Sequence, residues 1–502
     1  MAKQSRWHLA SLLDGIVSVP RTLSKIEISG LSTDSRRVES GDLFMALSGH
    51  ALNGTDYIQQ ALTRGAAAVL WESGEVEEEA ALRVEGLGQR VGEIASRFYR
   101  NPSAKLKVAA VTGTDGKSSV VHFLATAMAQ LEGKSAHFGT LGCQIVGGEV
   151  LESTGHHTTP PPLELQRLFA EGVARGVNSV AIEASSHGIE QGRLAGVAIN
   201  SAVLTQLGRD HLDYHGSLDH YRAAKRALFY RAGLTAVVVN QDDELGQEIL
   251  RHPPEGVQRF AYSQIERGES TLFGEVVSQH ADGMLLKISY QGVSESIRSP
   301  LYGRFNLSNL LAVLGVLMSW EIPFVPACAA LQQLEAVAGR MEPFCREGGE
   351  RATLIVDYAH TPGALASALK AVHEHLQAER GGKIWLVFGC GGERDRGKRP
   401  LMGRVAEQYA DHLVLTNDNP RGEAAGAIIE QILVGIDHPQ EVAIVEDRAA
   451  AIRMAYQQAG AEDIVLIAGK GHEQIQWIGT EKIPLSDRGI AQALVSERGA
   501  AG

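Results

Sequence analysis

The stretch Lys107-Val108-Ala109-Ala110-Val111-Thr112-Gly113-Thr114-Asp115-Gly116-Lys117-Ser118-Ser119 constrains this chain more than any other. A β-prone apolar run ends in a glycine turn, and a helical pattern follows (Val120, Val121, Phe123, Leu124, Ala127, Met128). That order predicts strand, phosphate loop, helix. Glycines let backbone N–H groups close around phosphate oxygens, and the helix presents its positive end to them. Gly113, Thr114, Asp115 and Gly116 would form the cradle. Lys117 would reach the β/γ-phosphates and Ser118, followed by Ser119, would ligate Mg²⁺. The common eight-residue pattern wants a glycine at Val111, so the match to it is partial, and a plain glycine turn is the alternative.

At 502 residues the chain exceeds a single core, and about three domains are expected. Apolar and charged contents of 44% and 21% are those of an ordinary globular chain. A net charge of -12 argues against a nucleic-acid or anionic-membrane surface, so an acidic substrate needs local Arg and Lys clusters. No apolar run approaches ~18 residues, and no basic-then-apolar leader is visible. The four cysteines lack metal or disulfide-framework spacing. A cytoplasmic chain without a membrane span is expected.

Residues 1–102 read as a small α/β domain closed by an Asn101-Pro102 linker, with arginines near Ser35 and a Gly49-His50 pair. Residues 103–338 hold the phosphate loop and further buried parallel strands at 179–183, 201–205 and 236–240, with an antiparallel insert near 255–300. Residues 339–502 repeat one grammar. Apolar strands at 353–357, 384–388, 412–416 and 464–468 each run into a polar or glycine-rich loop. Ligands of open α/β sheets sit beyond such strand ends, so this is a second ligand-binding, Rossmann-like domain.

Three further positions carry chemistry. Glu183 ends an apolar strand, where a carboxylate can reach a Mg²⁺ held on a triphosphate; a serine-built helix cap is the alternative use of that stretch. His211 lies in a polar cluster after another strand, as a second metal ligand or a hydrogen-bonded structural histidine. Lys225 sits beside the apolar stripe of a helix, either snorkelling or placed indoors where its amine becomes reactive.

Taken in order, these patterns resemble the Mur ligase family of ATP-dependent amide-forming enzymes. The matching residues are Gly113 to Ser119, Glu183-Ala184-Ser185-Ser186-His187, the Asp210-His211-Leu212-Asp213-Tyr214-His215 run and Lys225. Gly303, Asn306 and Asn309, then Gly339-Arg340-Met341-Glu342 and Asp357 to Pro362, complete the series. The resemblance implies an α/β chain of three domains: nucleotide-sugar, phosphate-loop ATPase and Rossmann-like. It implies addition of meso-2,6-diaminopimelate to UDP-N-acetylmuramoyl-L-alanyl-D-glutamate through an acyl phosphate, in a cytoplasmic monomer using ATP and Mg²⁺. An L-lysine-adding member is the alternative.

By the same resemblance Lys225 would carry a carbamate and, with His211, hold a second Mg²⁺. Asn309, Arg340 and Asp357 would contact ATP, and Ser35 and His50 the uridine nucleotide. Thr158, Thr159, Ser185, Gln191 and Arg193 would contact the UDP-dipeptide. Arg394, Asp418, Asn419, Pro420, Arg421, Gly469 and Glu473 would receive the amino acid. There, Arg421 offers a planar fork for the distal carboxylate and Glu473 an acceptor for the distal ammonium. A type I turn with a solvent-facing arginine is the alternative reading of 418–421. Asp115 stands where many members carry Asn, so its carboxylate is expected to turn away from the phosphates.

Overall fold

A computed structural model describes residues 6–48, 53–153, 155, 157–208, 212–265, 271–280, 283–345, 351–379 and 381–496. The chain divides into two compact units, Met1–Leu272 with Leu311–Ala330, and Phe273–Leu310 with Leu331–Gly502. Among the described residues no helix is long and apolar enough to cross a membrane.

Besides a two-stranded pair, Trp7–His8 with Glu27–Ile28, the first unit contains two larger, separate sheets among its described residues. The four-stranded one pairs Gly30–Ser32, Asp42–Ala46, Ala68–Trp71 and Ala81–Arg83, all in parallel. Leu43, Met45 and Leu70 point into one core with Val91, Ile94 and Phe98 of the helix Leu87–Phe98. The larger sheet is built around Lys107–Thr112. Ser179–Glu183 lies on one side of it and Ser201–Leu204 on the other, both parallel. These strands are apolar between their ends and buried almost throughout, as expected where both faces are covered. The register sets Glu183 opposite Val111 and Leu204 opposite Thr112. Three carboxyl ends therefore open on one edge, and the loops that leave them must lie side by side.

After Gly116 the helix Lys117–Glu132 runs until Gly133, whose φ of 95° ends it. Val120, Val121, Phe123, Leu124, Ala127 and Met128 are buried, as the sequence pattern predicted.

In the second unit Gly283–Tyr290 pairs antiparallel with a strand on each side, but the antiparallel insert expected near 255–300 is shorter than that range, because Gln258–Ser263 still pairs parallel to Ala236–Asn240. The main sheet runs Glu342–Phe344, Thr353–Asp357, Ile464–Ala468, Ile384–Phe388, His412–Leu415, Ala443–Ile444. Only the Glu342–Phe344 edge is antiparallel. The last long strand is inserted between the first two of the parallel set. Its terminal loop, starting at Gly469, thus emerges between those that follow Asp357 and Phe388.

Candidate functional site

The phosphate loop is held from outside. A Cβ on Gly113 would lie 1.8 Å from Thr205 Oγ1, and its φ is 151°, so only glycine fits. Thr205 Oγ1 donates to the Asp115 carbonyl at 2.6 Å, and the Thr114 N–H to the Gln206 carbonyl at 2.7 Å. Thr114 Oγ1 accepts from the Gly208 N–H at 2.7 Å and meets the Tyr221 hydroxyl at 3.0 Å. The Asp115 carboxylate accepts from the Gln206 amide at 3.2 Å, which gives this residue a place outside the cradle. Gly116 caps the helix without any side-chain hydrogen bond, leaving its first-turn N–H groups to the loop.

Two ammonium groups converge on this loop. Lys117 Nζ donates to the carbonyls of Gly113 and Thr114 at 2.9 and 2.7 Å. Lys225 Nζ donates to the same Gly113 carbonyl at 2.7 Å. Lys225 is 1% exposed and its ammonium stands 4.5 Å from the Tyr221 ring centre, so it is an indoor lysine rather than a snorkelling one.

At the next strand end Glu183 is buried, its Oε1 accepting from the Thr140 N–H at 2.8 Å and its Oε2 lying 3.1 Å from Thr140 Oγ1. Thr140 Oγ1 is also 3.2 Å from Thr158 Oγ1. Thr159 Oγ1 donates to the Glu183 carbonyl at 2.8 Å, accepts from the Ser185 N–H at 3.0 Å and meets Ser185 Oγ at 3.0 Å. Ser185 caps the short helix Ser186–Glu190, the role weighed from sequence for this stretch. Arg193 donates to the Thr159 carbonyl at 2.8 Å and grips Gln191 Oε1, whose amide donates to Tyr214 at 3.2 Å. Thr158, Thr159, Glu183, Ser185, Gln191 and Arg193 thus form one hydrogen-bonded network.

Ser35 is buried and donates to Gln60 at 2.7 Å. His50 and His211 lie outside the described residues. Among the described residues no three His, Cys, Asp or Glu side chains group as a metal site. The donor set at this edge still suits Mg²⁺. Ser118 and Glu183 are buried oxygen donors, and Thr112 Oγ1, at the foot of the loop, is buried without a partner among the described residues.

The second unit collects the other candidates. Asn309 donates to Asn306 at 3.0 Å on the helix Phe305–Ser319. Asp357 accepts from the N–H groups of Met341 and Ala359, both at 2.8 Å. Burial pushes its carboxyl above the ordinary range, against the pull of Arg340 and those two N–H groups. The Arg340 guanidinium stacks 4.5 Å over the Tyr358 ring, with its Nε buried and unpartnered among the described residues. Beside it, burial and the Arg340 charge hold the His472 imidazole at about 4, hence neutral.

Around 418–421 the backbone is locked. Arg421 adopts φ 51° and is clasped by the hairpin Ile475–Ile478 and Glu481–Pro484. Its N–H donates to the Trp477 carbonyl at 3.0 Å and its carbonyl accepts from Gly479 at 2.7 Å. Its Nη1 donates to the Gly392 carbonyl at 2.7 Å, while Nε and Nη2 have no hydrogen-bond partner among the described residues. Asp418 accepts from the Asn419 N–H at 2.7 Å, and a Cβ on Gly469 would come within 2.7 Å of its Oδ2. Arg394 is exposed on the neighbouring loop. Asn419 donates to Glu473 Oε2 at 2.9 Å.

Three wholly buried cations beneath these loops were given no role from the sequence. Arg399 joins Glu423 and the Gly391 carbonyl. Arg448 makes a two-pronged pair with Asp487 and reaches the Asn417 and Ala468 carbonyls. Lys470 serves Asn419, Glu473 and the Ile475 carbonyl. Only Lys470 had a local signal, its place in Gly469-Lys470-Gly471 after an apolar strand; Arg448 and Asp487 lie far apart in sequence.

Comparison with known proteins agrees along the chain. Residues 27–99 match the Mur ligase family catalytic domain, 111–317 the Mur ligase middle domain, and 339–471 the Mur ligase glutamate ligase domain. The chain is 43% identical over 488 residues to a Coxiella burnetii protein named UDP-N-acetylmuramoyl-L-alanyl-D-glutamate–2,6-diaminopimelate ligase, covering 96% of this chain and 98% of that one. It is 45% identical over 491 residues to the Alkalilimnicola ehrlichii protein of the same name, covering 94% and 96%. A solved structure of a ligase with that name superposes with a TM-score of 0.74 at 32% identity, covering 97% of this chain and 98% of that one.

Proposed function

The chain belongs to the Mur ligase family, and from that premise we propose that it joins meso-2,6-diaminopimelate to UDP-N-acetylmuramoyl-L-alanyl-D-glutamate at the expense of ATP. The observation that carries this reading is the 418–421 loop. It presents a guanidinium with unpartnered N–H groups and, through Asn419, a carboxylate whose second oxygen, Glu473 Oε1, also lacks a partner among the described residues. A cation on this loop and an anion tied to it suit the carboxylate and ammonium at the distal end of a diamino diacid. Relatives bearing that activity in their names match nearly the whole chain and support it.

In this reading the free carboxylate of the dipeptide attacks the γ-phosphorus of ATP and ADP leaves. The amine of diaminopimelate then attacks the acyl carbonyl, gives up a proton, and phosphate departs. Lys117 and the first-turn N–H groups bind the phosphates and take up charge as it shifts. Ser118 and Glu183 would hold Mg²⁺, which when bound neutralises phosphate charge. The network of Thr158, Thr159, Ser185, Gln191 and Arg193 orients the dipeptide, with Ser35 and His50 toward the uridine end. Asn309, Arg340 and Asp357 would contact ATP. The domains would run 1–102, 103–338 and 339–502, in a cytoplasmic monomer.

The test is ADP release that depends on both the UDP-dipeptide and an amino acid. Diaminopimelate should support it and L-lysine should not; efficient lysine addition would favour the lysine-adding reading instead.

Lys225 is proposed to act as a carbamate, with His211, toward a second Mg²⁺. Its nitrogen keeps one N–H in that form, so the contact to Gly113 survives. Lys225→Ala is expected to lower turnover about tenfold, the loss typical of a group supporting a metal site. Short added carboxylates should restore part of it. Wild-type rates of Lys225→Ala in bicarbonate-free buffer would leave Lys225 a packed lysine.

A further inference from the structure

We propose that Lys470, a wholly buried lysine with three acceptors at its ammonium, is the positioning residue that presents Asn419 and Glu473 to the incoming amino acid. The inference rests on the diaminopimelate reading above and deepens it.

A lysine ammonium has three N–H donors and no acceptor. Here each donor has its own oxygen: Glu473 Oε2 at 2.8 Å, Asn419 Oδ1 at 3.0 Å and the Ile475 carbonyl at 2.8 Å. The side chain is 0% exposed. Because the ammonium only donates, it forces the oxygen of the Asn419 amide toward itself. A second donor, the Trp477 N–H at 3.0 Å, agrees with that orientation. The amide's NH₂ must then face away from Lys470, and it donates to Glu473 Oε2 at 2.9 Å. One carboxylate oxygen of Glu473 is thereby taken twice. The other, on a side chain 32% exposed, is left to a ligand, and the two bonds to its partner oxygen restrain the carboxylate.

The third acceptor extends the effect. Ile475 opens the hairpin that clasps the Arg421 backbone through Trp477 and Gly479. One ammonium therefore ties the acceptor for the ligand's ammonium to the support of the guanidinium that would take its carboxylate. Burial makes such a fully matched set costly to break, since any oxygen deprived of its donor stays dry. An arginine would bring five donors in a flat fork to three acceptors arranged around a tetrahedral centre, so it is a poor substitute.

The experiment is steady-state kinetics of Lys470→Met in the full-length enzyme, varying each substrate in turn. The KM for diaminopimelate is expected to rise about 10- to 100-fold, as for leaving buried acceptors unmet. The kcat and the KM values for ATP and the UDP-dipeptide should stay within about threefold. A lysine that merely stabilised the fold would instead lower the melting temperature and kcat together with every KM unchanged. That result, or unaltered kinetics, overturns the proposal. If Lys470→Met does not fold, Lys470→Arg keeps the charge but not the geometry, and a diaminopimelate KM unchanged in that variant overturns it equally. Arg421→Ala serves as the control. If it also leaves the diaminopimelate KM unchanged, the substrate reading itself has failed; if it raises that KM while both Lys470 variants do not, only the positioning role is lost.

Discussion

Lys117→Ala is expected to cut ADP release by about two to three orders of magnitude while the protein keeps its fold. The scale is that of removing one charge-matched donor from a site where negative charge shifts during reaction. Lys117 contributes two contacts to the loop, to the carbonyls of Gly113 and Thr114. The loop has independent supports in Thr205, Gln206, Gly208 and Tyr221, and Lys225 retains the Gly113 carbonyl. Losing the lysine therefore removes charge more than structure. The ammonium's value grows as the phosphoryl group leaves ADP, so kcat should fall further than KM for ATP rises. Lys117→Arg should restore little, because a planar fork cannot sit over a cradle shaped for a point charge. The check is ADP release at saturating substrates beside a thermal melt. Near-normal turnover in a folded Lys117→Ala variant would remove the phosphate-loop assignment.

The strands that carry both candidate sites were legible because buried parallel strands are unbroken apolar runs, and their ends are where polarity returns. Lys107–Thr112, Ser179–Glu183, Ile384–Phe388 and Ile464–Ala468 each stand where the run predicted. Register was not legible: nothing local in Glu183 says that it lies opposite Val111. The supports of the sites were hidden for the same reason. Thr140 reaches Glu183 across 43 positions, and Arg448 finds Asp487 across 39. A buried arginine reads in sequence like a solvated one. Tyr221, four residues before Lys225, is buried like an apolar residue yet brings its hydroxyl to Thr114. The hairpin that clasps Arg421 follows Glu473 and lies more than fifty positions from the arginine it serves. Neither reading of Asp418-Asn419-Pro420-Arg421 could reveal that its last residue is held in a left-handed conformation.

That conformation makes the second large effect a clean one to measure. Arg421→Ala is expected to raise the KM for diaminopimelate by about one to three orders of magnitude, with the KM values for ATP and the UDP-dipeptide much less changed. A charge-assisted pair that loses one partner in a closed site costs about 2–5 kcal/mol. An L-residue at φ 51° is disfavoured, and here two backbone hydrogen bonds to the hairpin impose it. Alanine keeps both bonds and has the same left-handed cost to bear, so the substitution removes the guanidinium without releasing the loop. One contact inside the protein is lost as well, from Nη1 to the Gly392 carbonyl. Gly392 has little room to respond, since a Cβ there would lie 1.9 Å from the Pro420 carbonyl. The remaining N–H groups of Arg421 are the ones available to a ligand carboxylate. L-lysine lacks that carboxylate and gains nothing from the guanidinium, so its poor use should be almost indifferent to Arg421→Ala. Selectivity between the two amino acids should collapse in the variant through loss of diaminopimelate, not gain of lysine. An unchanged diaminopimelate KM in folded Arg421→Ala would move recognition of the distal carboxylate away from this loop, with the exposed Arg394 the next residue to substitute.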